Sequence, residues 1–176
     1  MQPYFFPYIG YFQLMKYVDY FVVYDNIQFT KKGWIHRNRF LQNGKDELFS
    51  LTLLKDSDFL DIRERRLSME YLDANRKLLR KIEAAYKKAP FFEDLYSGME
   101  KCFLNTEHEN LFDFVYYSII YIKNYLKIET PILISSEIDD KNSDYKGKMR
   151  VQKKKKKLEA YHYVNPIGGI ELYDKQ

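Results

Sequence analysis

The chain has 176 residues, 45% hydrophobic, 18% aromatic and 31% charged, which suits one globular domain with a continuous core. Its single cysteine, Cys102, excludes an internal disulfide framework and a multi-cysteine zinc site, so a reducing cytoplasm without a secretory leader is the expectation. The net charge of +4 is too small to imply nucleic acid, and no apolar run reaches the roughly 20 residues of a membrane helix, so neither partner is expected.

Residues 1–7 are aromatic and bounded by prolines, which prevents a helix across them. From Gly10 onward, Phe12, Met15 and Val18 recur at helical spacing. Residues 21–24 are an apolar β-branched and aromatic run, predicting a strand buried on both faces as in a parallel sheet. Residues 27–43 are basic, aromatic and aperiodic, and read as a functional loop with partial structure. Another strand is predicted over 48–54, and helices over 62–88, 91–102 and 111–126, the first ended by Ala89-Pro90. Residues 131–136 read as a further buried strand ending in two hydroxyl side chains. The basic helix predicted over 146–160 carries the lysine run 153–157, a solvated face or a surface for acidic partners. A strand-like stretch at 161–164 and a loop at 165–169 follow.

This alternation predicts an α/β fold, a mainly parallel sheet flanked by helices with Rossmann-like layering, in one domain over residues 1–176. Ligands of such sheets gather beyond the carboxyl ends of the strands. The polar strand ends are Asp25-Asn26, Ser135-Ser136, and Asn165 with Gly168 and Gly169. Met1-Gln2-Pro3 would be a fourth if a strand preceded it.

The densest constellation of chemistry is residues 30–39, with Lys31, Lys32, Trp34, His36, Arg37, Asn38 and Arg39. Arginine offers a rigid fork of donors for phosphate or carboxylate, lysine adds a point charge, and the indole stacks on a base or sugar ring. The alternative is a solvated loop anchored by its tryptophan. Asp25 suits a general base, a metal ligand or an acceptor for sugar hydroxyls, and equally the cap of the following turn. Gln2 has an amide to offer a ligand. Tyr4 and Tyr8 suit a carbohydrate wall or an aromatic core, while Phe5, Phe6 and Phe12 read as core. His36, His108 and His162 lack metal-ligand spacing, so no metal site is expected, and Cys102 reads as buried and inert.

The string MQPYFFPYIGYFQL, followed by Asp25, KKGWIHRNR, Ser135-Ser136 and YVNPIGGIELYD, resembles the WbqC-like protein family over nearly the whole chain. Its members are found among genes for O-antigen and other surface polysaccharides. The resemblance implies a transferase that acylates an amino sugar, or transfers glycine to a 4-amino-4,6-dideoxy sugar, the acceptor being nucleotide-linked. The donor would be an activated acyl or aminoacyl group, no other cofactor being implied, and pathway enzymes are possible partners. In that reaction Asp25 or His36 would take a proton from the amine. Lys32, Arg37 and Arg39 would hold a diphosphate, Asn38 or Gln2 would orient a hydroxyl or carbonyl, and Ser135 or Asn165 would stabilise the oxyanion. A non-catalytic protein holding the sugar nucleotide or a pathway enzyme needs the same cationic loop and aromatic wall, without a base. Related proteins usually carry a strand ahead of the MQP motif and continue past the LYD motif, so the domain is expected to be incomplete at both ends.

Overall fold

The computed structural model describes residues 1–138 and 147–166. Beyond Pro7, helix α1 (Ile9–Tyr17) buries Tyr11, Phe12 and Met15. Strand β1 (Phe21–Val23) follows, and then a hairpin of β2 (Arg37–Gln42) and β3 (Lys45–Ser50). Asn43 and Gly44 close the hairpin with φ of 52° and 75°, the positive pair that a two-residue type I′ turn requires. A 3-10 turn (Ile62–Glu64) leads to α2 (Tyr71–Tyr86), α3 (Phe92–Phe103) and α4 (Leu111–Tyr125). Strand β4 (Ile132–Ile134), the short α5 (Ser135–Ile138) and α6 (Gly147–Lys157) complete the described elements.

The mainly parallel, Rossmann-like sheet does not form. Helix accounts for 44% and strand for 15% of the described residues, and the strands make two separate two-stranded sheets. β1 pairs in parallel with β4, Phe21 opposite Ile132 and Val23 opposite Ile134, whereas β2 and β3 are antiparallel. Short apolar runs have the same composition in a buried strand and in a helix-packed segment, so their number does not reveal a sheet's width. Here the parallel pair is only three residues long, and although Phe21 and Val23 are buried, most of the buried apolar residues lie on helices and on the N-terminal segment. Locally, the partial structure expected within residues 27–43 is β2, the helix expected from residue 62 begins at Tyr71, and residues 161–164 are not a strand.

The core is aromatic. Phe5 is fully buried, its ring 4.9 Å from Phe103 of α3 and 5.6 Å from Phe114 of α4. Phe6 stacks on Phe103 at 5.2 Å. Helices α3 and α4 approach closely at Gly98, where an added Cβ would overlap the Tyr121 ring. Asn110 caps α4 by accepting from Phe112 N at 2.8 Å, and buried Asn75 ties α2 to α3 through Phe103 O at 2.7 Å. Among the described residues no helix is long and apolar enough to cross a membrane.

Candidate functional site

An open cleft of about 1230 Å³ lies where the N-terminal segment, the 26–39 region, the chain before the 3-10 turn and α6 meet. One wall is the aromatic N-terminal segment. Tyr4 Oη donates to Gln2 Oε1 at 3.3 Å, and Tyr11 Oη donates to Gln2 O at 3.2 Å, fixing both the side chain and the backbone of Gln2. Burial, and then the neighbouring Tyr8, raise the Tyr4 phenol above its ordinary value. Phe6 has φ of 51°, a left-handed conformation that a bulky side chain adopts only under outside constraint. The constraint is Asn38, whose Nδ2 donates to Phe5 O at 3.0 Å and Phe6 O at 2.5 Å. Phe5 N also donates to Ile35 O at 3.2 Å, so the N-terminal segment is bound to the start of β2.

The second wall is cationic and aromatic. The turn at Thr30–Gly33 is closed by Gly33 N donating to Thr30 O at 3.1 Å. Arg37 reaches back over it, Nε donating to Gly33 O at 2.9 Å and Nη2 to Lys32 O. Trp34, 42% exposed, then has the guanidinium carbons of Arg37 and Arg39 at 5.7 Å and 5.3 Å from its ring, within cation–π range. Arg39 also pairs with the exposed Asp46 at 2.9 Å, and Lys31 with Asp58 at 2.7 Å.

Beneath the cleft, the carboxyl ends of β1 and β4 are joined. Asp25 is 4% exposed, and its Oδ1 accepts from Ser136 N at 2.9 Å while Oδ2 stands 3.9 Å from Arg63. Ser135 Oγ donates to Asn26 Oδ1 at 2.7 Å. Helix α6 is fastened to the same point: Arg150 Nη1 donates to Asn26 O and Lys154 Nζ to Ser135 O, each at 2.8 Å. Lys154 is thereby buried, with its ammonium 5.7 Å from the Tyr24 ring, and the lysine run is not wholly a solvated face. Arg150 Nε is buried without a hydrogen-bond partner among the described residues.

Of the residues singled out from the sequence, Gln2, Tyr4, Tyr8 and Trp34 line this cleft, together with Arg37, Asn38, Arg39 and Asn165. Asp25, His36, Lys32, Ser135 and Ser136 are not among its lining residues, and Gly168 and Gly169 lie outside the described residues. His36 is buried against Phe29 at 5.0 Å, and its Nδ1 has no hydrogen-bond partner among the described residues. Burial, followed by the positive charges of Arg37 and Arg65, lowers its pKa to about 4, so the ring is neutral and weakly basic. Gln28, Phe59, Asp61 and Arg150 line the cleft without having been singled out. The Asp-x-x-Glu spacing of Asp61 and Glu64 is a capping-box signal for the 3-10 turn, but it marks a turn and not a cleft. Burial, then Glu64, raise the Asp61 carboxyl above its ordinary value, against the opposite pull of Arg63 and Arg150.

The sequence profile of the WbqC-like protein family matches residues 2–176. An uncharacterized protein of Mycobacterium tuberculosis is 30% identical over 106 residues, which make up 60% of this chain and 45% of that protein. The match therefore spans less than half of the mycobacterial relative's length. No solved structure matches the chain.

Proposed function

We propose that this chain, which belongs to the WbqC-like protein family, binds a nucleotide-linked amino sugar in the cleft and acts on it in the cytoplasm as an acyl or aminoacyl transferase for surface polysaccharide assembly. The observation that carries the binding reading is the exposed Trp34 indole, flanked by Arg37 and Arg39 on the wall of a large cleft. An aromatic face beside fixed guanidinium groups matches a nucleobase or sugar ring joined to phosphates. Arg39 is held on its outer side by the exposed Asp46, a weak surface pair that a phosphate displaces at little cost. Arg150 adds a third guanidinium to the lining.

The chemistry implied by the family setting is attack of the neutral sugar amine on the carbonyl of an activated donor, an acyl thioester or an activated glycine. A C–N bond forms, the bond from the carbonyl to its leaving group breaks with its electron pair going to that group, and the one proton that nitrogen gives up passes to the departing group or to solvent. A second reading, a protein that holds the sugar nucleotide without transforming it, is favoured by Asp25 and His36 being buried away from the cleft lining.

Trp34 is the chain's one tryptophan, so its fluorescence reports on the wall directly. UDP- and dTDP-linked 4-amino-4,6-dideoxyglucose should quench it saturably. Arg39→Gln should weaken binding about 5–10-fold, roughly 1–1.4 kcal/mol, and more for the nucleotide-linked sugar than for the free sugar. Absence of saturable binding by wild type overturns the reading. Adding an acyl thioester or activated glycine and analysing the sugar by mass spectrometry separates the two functions: an added acyl mass establishes transfer, and binding without it establishes holding.

A further inference from the structure

Asp61 is the one acidic side chain among the described residues that line the cleft, where Arg37, Arg39 and Arg150 supply guanidinium groups. Its position is held from both sides. Phe29 N donates to Leu60 O and Ile62 N to Ile27 O, each at 2.9 Å, which brackets an isolated antiparallel bridge between Gln28 and Asp61. Directly opposed residues of such a bridge send their side chains to the same side, and both line the cleft. Asp61 N donates to Glu64 Oε2 at 2.7 Å and Asp61 O accepts from Glu64 N at 3.0 Å, so the backbone of residue 61 cannot swing away without breaking both bonds. The carboxylate meets Arg63 only at 3.9 Å, beyond hydrogen-bond length, and Arg63 is shared with Asp25 at the same distance. A carboxylate has about four acceptor positions, and among the described residues those of Asp61 are not exhausted by Arg63 and the nearby Glu64 N–H of the capping-box turn.

A cleft built only to bind an anion gains nothing from a fixed carboxylate in the same lining as its arginines and within reach of Arg150, because it repels that anion. The arrangement fits a ligand carrying both signs of charge. We infer that Asp61 recognises the ligand's amine in its protonated resting form, while the arginines take its anionic part; that amine attacks a donor only after it has given up the extra proton. Asp61 is then a specificity residue that distinguishes a free amino sugar from its N-acylated counterpart, whose amide is uncharged. This deepens the proposed function and rests on it, and it supplies a reason for an acylated product to leave: the product no longer pairs with the carboxylate. Gln28, held through Nε2 to Asp58 O at 2.9 Å, sits beside Asp61 as a neutral companion.

The test uses the full chain and two probes, UDP-4-amino-4,6-dideoxyglucose and its 4-N-acetyl derivative, titrated calorimetrically at neutral pH. Wild type should prefer the free amine by about tenfold, close to 1.4 kcal/mol. Asp61→Asn should lose that preference by weakening the amine probe about tenfold while leaving the acetylated probe within about twofold. Equal binding of both probes by wild type overturns the inference without needing the variant, as does an equal loss for both probes in Asp61→Asn. If wild type binds neither probe, the sugar-nucleotide reading fails and the role of Asp61 falls with it.

Discussion

Replacing His36 by phenylalanine should change how stability depends on pH more than stability itself. The unfolded imidazole takes up a proton below its ordinary value of 6.5, whereas the folded ring does so only below about 4. Between these values the unfolded state binds more protons, so the folded protein loses stability as pH falls from 6.5 towards 4. Near pH 5 the full shift corresponds to about 2 kcal/mol, and allowing for solvent that still reaches the ring leaves about 1–2 kcal/mol. In a chain of this size each kcal/mol moves Tm by roughly 2–4 °C, so the effect is roughly 3–6 °C. Phenylalanine keeps the ring contact with Phe29, takes no proton, and removes an Nδ1 that has no partner among the described residues. Thermal melts of both proteins at neutral pH and near pH 5 should therefore diverge on acidification, the variant losing roughly 3–6 °C less. Other titrating groups act on both chains alike and cancel in the difference. Parallel pH profiles for the two proteins would refute the reasoning, because they would mean that the ring takes up its proton in the folded state as readily as in the unfolded one.

Burial, and then Lys154, lower the Met1 amine from 8.0 to about 5, so stability should also fall as pH drops through that window. Met1 N donates to Val22 O at 2.6 Å and Met1 O accepts from Tyr24 N at 2.9 Å, the bond pattern of a parallel partner beside β1. Placing strand-forming residues ahead of Met1 replaces the amine by a neutral amide and should add about 1 kcal/mol at neutral pH and about 3 kcal/mol near pH 5. Unchanged urea midpoints would count against the proposal that the domain gains a strand there. Asn38→Ala removes the donor shared by Phe5 O and Phe6 O and should lower stability by about 1–3 kcal/mol, read as a lower urea midpoint at constant m value. Gly98→Ala should cost about 1–3 kcal/mol through overlap with Tyr121, and Tyr121→Ala in the same chain should cost less than it does alone, a coupling that a double-mutant cycle measures.

Local sequence determined the elements whose cause is local. Helices α3 and α4 lie within a residue of their expected bounds, and α1 starts one residue before the expected Gly10, because apolar spacing, Pro7, Pro90 and the capping Asn110 act on neighbouring residues. The pairing of β1 with β4 was likewise legible in two matched apolar runs, and the Asn43-Gly44 signal for the hairpin was present although the surrounding basic stretch reads as a loop. Membership of the family was written in the aromatic N-terminal string and the KKGWIHRNR stretch. Much of the cleft wall was legible too, since Trp34, Arg37, Asn38 and Arg39 are near neighbours in the chain. What only the tertiary structure decided is how far the sheet extends and which polar groups face the cleft. Sheet width depends on partners contributed from distant parts of the chain, and three-residue strands leave that choice to helix packing. Asp25 and Asp61 have the same carboxylate and both stand near Arg63, yet one is turned to Ser136 N and the other lines the cleft. Lys154 sits in a run of five lysines and is nonetheless buried, because Ser135 O and the Tyr24 ring are brought to it by segments more than a hundred residues apart. Charge and composition are properties of a residue, whereas burial and hydrogen bonding belong to the neighbours that the fold assembles around it.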